Sequence, residues 1–266
     1  MKQPADFLRL FLLTVPLPRA LVRAVEARLF TELVPQLPEP ILDIGCGDGT
    51  FAQITLPGKH IIGIDARSCA THEASQQDVY QGLSVATSER LPFKDQCFAS
   101  SISNCVLEHI TPLDETLQEV QRVLQPGGLF AATVVGEQFA QDLLGSRLLQ
   151  AIGSDGTRYG RWFNRISQHV HTLSASAWRE RMTRAGLEVI LLRPYLSATA
   201  LKVFDLSHYY AAPALITRRL TGRWLIYPPY TTNLLWEPLL RRFYDTPSGE
   251  DGPYYFILCR KPSHQE

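Results

Sequence analysis

Three glycines at alternate positions, Gly45, Gly47 and Gly49, close the stretch ILDIGCGDG, directly behind an apolar run that contains Asp43. About twenty residues later a second apolar run, HIIGID, ends on Asp65. Glycines at such a place permit a tight turn and a close approach of backbone to a ligand. An acidic side chain ending the next strand is positioned to accept both hydroxyls of a ribose. Alone, the glycines mark a turn and Asp65 a helix cap; together they point to a nucleoside-containing cofactor. Asp48 sits inside the turn. Its carboxylate repels a diphosphate, the ligand of the usual G-x-G-x-x-G dinucleotide turn, and suits a ligand with a cationic group.

A second group of chemistry-bearing residues lies in YGRWFNRISQHVHTLS, residues 159–174. It offers Tyr159, Arg161, Trp162, Arg165, His169 and His171. His169 and His171 are two apart, so on an extended segment both face one side. Either is a candidate catalytic base, His169 being the nearer to the aromatic residues. The competing reading is an arginine-rich surface turn with one histidine packed. The cysteines, at 46, 69, 97, 105 and 259, form neither a CxxC pair nor a tight Cys/His cluster, so neither a metal site nor a disulfide scaffold is expected. A reduced, cytoplasmic setting is the simpler expectation.

The elements that must hold these groups alternate along the chain. PILDIG and HIIGID read as buried parallel strands, Phe98–Ser103 as a weaker one, and GLFAATVV as another after the turn at Pro126-Gly127-Gly128. A helix is predicted over 112–124, with Thr111 as cap, Pro112 in its first turn and Leu113, Leu117, Val120 and Leu124 as its apolar stripe. Further helices are predicted at 19–34, 138–150 and 174–185, and further strands at LEVILLRPY and PYYFILCRKP. Alternating strands and helices imply an α/β fold, a doubly wound and mostly parallel sheet whose ligands sit at the carboxyl ends of the strands.

With ILDIGCGDG, IIGID, SERLPFKDQCF, SNCVLEHI and EVQRVLQPGG in this order over residues 40–135, the chain resembles the class I S-adenosylmethionine-dependent methyltransferases. The branch it resembles is that of the ubiquinone- and menaquinone-biosynthesis enzymes. The resemblance implies a seven-stranded Rossmann-like sheet and S-adenosyl-L-methionine as cofactor. It implies that Asp43 and the loop Gly45, Cys46, Gly47 and Gly49 hold the methionine amino and carboxylate groups. By the same resemblance Asp65 binds the ribose, Ala66 borders the adenine, Ser88 and Glu89 lie at the adenine edge, and Asn104 and Cys105 lie beside the methionyl portion. Thr87 stands where the family commonly has an acidic residue at the adenine amino group, which weakens the expected affinity. Glu108 and His109 belong to a LEHI stretch common in the family, and His109 is expected to pack rather than catalyse.

The division expected is an N-terminal helical and apolar segment (1–35), a cofactor-binding core (36–194), an insertion (195–252) and a last core strand with tail (253–266). Between Tyr195 and Tyr244 lie ten aromatic residues, and between Tyr195 and Leu235 the acidic Asp205 stands alone against Lys202, Arg218, Arg219 and Arg223. Such a segment can be a lid over a bulky substrate, a membrane-surface element, or a helical subdomain that packs on the sheet or dimerises. The apolar run Phe7–Pro18 is too short to span a bilayer, which takes about 20 residues, and can pack on the fold or rest on a membrane. A formal net charge of zero argues against nucleic acid as partner. The expected partner is a small, lipophilic acceptor methylated on oxygen or carbon, by a monomer or homodimer. An inactive methyltransferase-like scaffold, a protein methyltransferase and, last, a nicotinamide-dependent oxidoreductase are the competing classes.

Overall fold

In the computed structural model, residues 5–221, 230–246 and 251–263 are described, with side chains described outside 211–221. Seven strands form one sheet in the order β3-β2-β1-β4-β5-β7-β6. They are β1 (Ile41–Ile44), β2 (Ile61–Asp65), β3 (Tyr80–Val85), β4 (Phe98–Asn104), β5 (Leu124–Val135), β6 (Glu188–Tyr195) and β7 (Tyr254–Arg260). All neighbours pair in parallel except β7, which runs antiparallel to both β5 and β6. The chain builds outward from β1 through β2 to β3, then returns to the other side of β1 for β4. That reversal opens a crevice at the carboxyl ends of β1 and β4, where Asp43 and Asn104 lie.

Side chains alternate between the two faces of β1. Ile41 joins one apolar cluster, whereas Leu42 and Ile44 join the other. The second cluster is covered by α5 (Leu113–Val123) and α9 (Ala175–Arg184), with Trp178 fully buried. Ser174 caps α9 by accepting the Ala177 N–H. Thr111 does not cap α5: its carbonyl takes the Leu113 N–H, and Pro112 stands at the cap position. Between β1 and β3 the connections carry α3 (Thr50–Thr55) and α4 (Ser68–Ala74).

The first cluster joins both ends of the chain. It contains residues of α1 (Phe7–Thr14) and α2 (Leu17–Leu33), together with Leu201 of α10 (Ala198–Thr221) and Leu240 and Tyr244 of α11 (Glu237–Asp245). Phe7, Leu8, Phe11 and Leu12 are buried, so the apolar N-terminal run packs into the fold. Pro18 sits in the first turn of α2, where its missing N–H costs nothing. Between β5 and β6 the chain adds α6 (Phe139–Asp142), α7 (Leu144–Ala151) and α8 (Thr157–Ile166). Asp205, the lone acid noted in the sequence, is fully buried in α10. It accepts the Gly145 N–H at 3.0 Å and the Tyr159 hydroxyl at 2.6 Å, tying α10 to α7 and α8. The side chains of Arg218, Arg219 and Arg223 lie outside the described residues. No helix among the described residues is long and apolar enough to cross a membrane.

Candidate active site

A cavity of about 730 Å³ opens at the carboxyl ends of β1 and β4. Its first wall is the glycine turn. Gly45, Gly47 and Gly49 all have φ in the left-handed region, at 73°, 57° and 78°. The turn is pinned to β2 from two directions. The Gly45 and Cys46 N–H groups both donate to the Ile64 carbonyl, and the Gly47 N–H donates to Asp65 Oδ2 at 3.1 Å. A Cβ at Gly47 would meet no atom within 4 Å, so the backbone there faces open space in the cavity wall. Asp65 Oδ1 accepts the Arg67 backbone N–H at 2.9 Å and its Nε at 3.2 Å, which aims the carboxylate along the end of β2.

Asp43 shares the face of β1 that carries Ile41, and its Oδ2 accepts the Tyr80 hydroxyl at 2.7 Å. Burial pushes its carboxyl up to about 6, against the pull of that hydrogen bond. Burial likewise pushes the Cys46 thiol upward, which makes it a poor nucleophile. Ser88 is buried, and its Oγ lies 2.9 Å from the Thr116 hydroxyl.

Ten of the sequence-predicted site residues line this one cavity: Asp43, Gly45, Cys46, Gly47, Asp65, Ala66, Ser88, Asn104, Cys105 and His169. Gly49, Glu89 and His171 do not line it, nor does Thr87. Gly49 is kept small by packing, because a Cβ there would come within 3.0 Å of Gln77 and Tyr80. Glu89 and Thr87 are exposed outside the cavity. His171 turns away, with its Nε2 3.0 Å from the Ile110 carbonyl. The segment is not extended as the two-residue spacing assumed: the Val170 and His171 N–H groups both donate to the Glu108 carbonyl. Successive amides aimed at one acceptor break the alternation of a strand.

The opposite wall went unread in the sequence. Arg19 and Arg23 reach the cavity from α2. Arg23 Nη1 lies 2.6 Å from both Glu26 Oε2 and Asn104 Oδ1. Glu26 is fully buried and also accepts Asn104 Nδ2 at 2.9 Å, the Cys105 thiol at 3.0 Å and the Tyr195 hydroxyl at 2.6 Å. A buried carboxylate is tolerated only when its lone pairs are met in this way. The cluster locks α2 onto the end of β4 and holds Cys105 at a φ of 50°, a conformation that a non-glycine residue adopts at a cost. Arg19, Arg23 and Glu26 follow one another at helical i, i+4, i+7 spacing, a signal that on most helices marks only a solvated face.

Beyond this cluster the lining turns aromatic. Phe139 stacks edge-on against Phe163, His169, Phe204 and Tyr254, with ring centroids 5.2–6.1 Å away. His109 and His169 lie with ring centroids 5.2 Å apart. Burial, then the neighbouring His109, drives His169 down to about 4, so at neutral pH it is an uncharged imidazole. Burial drives Glu108 up to about 8. His109, expected to pack, is exposed and lines the cavity together with the buried Glu108.

Residues 42–132 match the family model described as a methyltransferase domain. The chain is 32% identical over 146 residues to a malonyl-[acyl-carrier protein] O-methyltransferase of Yersinia pestis, covering 54% of this chain and 52% of that protein. It thus spans about half the length of that curated relative. Among solved structures, the [4+2]-cyclase SpnF superposes with a TM-score of 0.59 at 19% identity, over 90% of this chain and 81% of that one. An S-adenosylmethionine-dependent methyltransferase of Mesorhizobium loti gives 0.57 at 15% identity, over 90% of this chain and 99% of that one. Residues 42–132 thus match a methyltransferase domain, and the fold is one shared with S-adenosylmethionine-dependent methyltransferase structures. A cyclase on the same fold is a reminder that the fold by itself does not fix the reaction.

Proposed function

We propose that this protein moves the methyl group of S-adenosylmethionine to a small, lipophilic acceptor. The observation that carries the reading is a single cavity with two unlike ends, the glycine turn with Asp65 at one and an aromatic wall at the other. The residues present fit the cofactor. Gly47 leaves its backbone bare, Asp65 offers a fixed carboxylate for the ribose, and Asp43 and Asp48 supply negative charge for the methionine ammonium and the sulfonium region. Asn104 and Cys105, held by Glu26, would flank the methionyl portion, Ala66 the adenine, and Ser88 its edge. Arg19, which has no ion pair among the described residues, would take the carboxylate.

When bound, the cofactor supplies an electrophilic methyl group, and alignment is then the protein's main contribution. Phe139, Phe163, Phe204 and Tyr254 would desolvate the acceptor and orient it toward Asn104. His169, uncharged and hydrogen-bonded through Nδ1 to Asn164 Oδ1 at 3.1 Å, keeps Nε2 able to accept a proton from an acceptor hydroxyl. Residues 1–35 and the insertion 195–252 would work as one cap on the core 36–194, since α2 and α10 both supply cavity residues. The expected acceptor site is oxygen or carbon, consistent with an O-methyltransferase among the relatives.

The test is transfer of labelled methyl from S-adenosylmethionine to a panel of phenols, alcohols and long-chain carboxylic acids. Turnover of at least one apolar acceptor, reduced by Phe139→Ala more in KM than in cofactor affinity, is expected. Cofactor binding without turnover of any acceptor would favour a binding protein on the same fold.

A further inference from the structure

Three side chains at the acceptor end converge without a partner between them. One ligand atom each from Glu108, His109 and His169 lies within 4.8 Å of the others, and all three residues line the cavity. Glu108 is 1% exposed, and its Oε2 has no hydrogen-bond partner among the described residues. A buried, unpartnered carboxylate oxygen is costly and calls for a ligand.

The two imidazoles are fixed in the form that binds metal. His109 Nδ1 lies 3.0 Å from the Gln168 carbonyl, and His169 Nδ1 lies 3.1 Å from Asn164 Oδ1. Both partners are oxygen acceptors, so each Nδ1 carries the proton and each Nε2 presents a lone pair. An imidazole oriented through its second nitrogen by a carbonyl or amide oxygen is the usual support of a metal-bound histidine. The backbone is braced for the same purpose. The Glu108 carbonyl accepts the N–H groups of Val170 and His171 at 2.8 and 3.0 Å, which clamps two segments about sixty residues apart in sequence. Arg23, which also lines the cavity, is engaged by Glu26 and Asn104.

We infer that Glu108, His109 and His169 form a binding site for one divalent first-row transition-metal ion. Two imidazole nitrogens and one carboxylate oxygen suit Zn²⁺, Co²⁺, Fe²⁺ or Mn²⁺ better than Mg²⁺ or Ca²⁺, which prefer all-oxygen shells. Three protein ligands leave coordination positions open toward the cavity. An acceptor carrying a hydroxyl or carboxylate oxygen would fill them, and a metal-bound hydroxyl is more acidic than a free one. With the ion bound, His169 Nε2 is a ligand and no longer the proton acceptor, and the proton of the metal-bound hydroxyl leaves to solvent; this use of the ion rests on the methyltransferase reading, whereas the site itself does not.

The experiment is titration of Co²⁺ into the full chain after dialysis against chelator, followed by visible absorption, with S-adenosylmethionine binding measured on the same metal-free sample. One saturable Co²⁺ site is expected, weakened at least tenfold in His169→Ala and in Glu108→Gln and unchanged in the surface variant His72→Ala. Glu108→Gln is nearly isosteric and decides the matter should His169→Ala fail to fold. Absence of binding at millimolar Co²⁺, or binding by both variants as tight as by the parent, would overturn the site. Cofactor binding without Co²⁺ binding removes the metal alone, whereas Co²⁺ binding without cofactor binding removes the methyltransferase reading and leaves the metal site standing.

Discussion

The two ends of the cavity are built on different principles. At the glycine end the contacts come from backbone and short acidic side chains within a single β1-β2 unit, close in sequence and braced by hydrogen bonds such as Gly47 N–H to Asp65. At the aromatic end each ring comes from a different element: Phe139 from α6, Phe163 from α8, Phe204 from α10 and Tyr254 from β7. On the proposed function the first end would recognise a ligand common to many enzymes and needs a fixed backbone. The second would fit one acceptor, and it is assembled from segments that can change without disturbing the sheet.

Substitutions at the seam and at each end would break or sharpen this contrast. The largest effect is expected for Glu26→Ala at the seam. It leaves the Arg23 guanidinium buried without its carboxylate and should cost about 3–5 kcal/mol of stability, read from urea unfolding. A loss below 1 kcal/mol would mean that the two ends are not joined through this cluster.

Asp65→Ala should weaken S-adenosylmethionine binding about 100-fold, as expected for the loss of two charge-assisted hydrogen bonds of about 1.5 kcal/mol each, while Phe139→Ala leaves that affinity nearly unchanged. Calorimetry on the two variants side by side tests whether the ends act separately.

Asp43→Asn has the opposite sign for stability and for binding. The folded-state carboxyl, raised from its ordinary 3.8 to about 6, binds more protons than the unfolded one over that interval. Parent stability therefore falls as pH climbs from about 4 to 6 and stays lower above it. Asparagine keeps an acceptor for Tyr80 and removes the buried charge, so the variant should gain about 2–3 kcal/mol over the parent at neutral pH. The gain should vanish near pH 4, in unfolding curves taken across that range, and cofactor affinity should drop. The smallest change is expected for His171→Ala. The loss of its hydrogen bond to the Ile110 carbonyl should cost about 1 kcal/mol of stability and leave cofactor affinity intact.

The same contrast explains what could be read from the sequence. ILDIGCGDG and HIIGID announced β1, its turn, β2 and Asp65 because local residue types dictate a tight turn after a buried strand. The strand β3 was missed: YQGLSV is half exposed at the sheet edge and mixes polar residues with glycine, so it carries neither alternation nor an apolar run. The helix α8 is not legible in the sequence because its ten residues include a glycine and four charged or amide side chains. The pairing of His171 with His169 failed because backbone hydrogen bonds to Glu108, sixty residues away, decide which way each ring points. Arg19, Arg23 and Glu26 were invisible as site residues for a related reason. Only the packing of α2 across β4 turns a charged helix stripe into a buried clasp.

The most direct test of the account is a calorimetric titration of the intact, folded chain with S-adenosylmethionine. One saturable site of micromolar affinity, lost in Asp65→Ala and retained in Phe139→Ala, is the predicted result. No binding by protein whose unfolding curve shows it to be folded would contradict the central claim that this cavity is a cofactor site joined to an acceptor site.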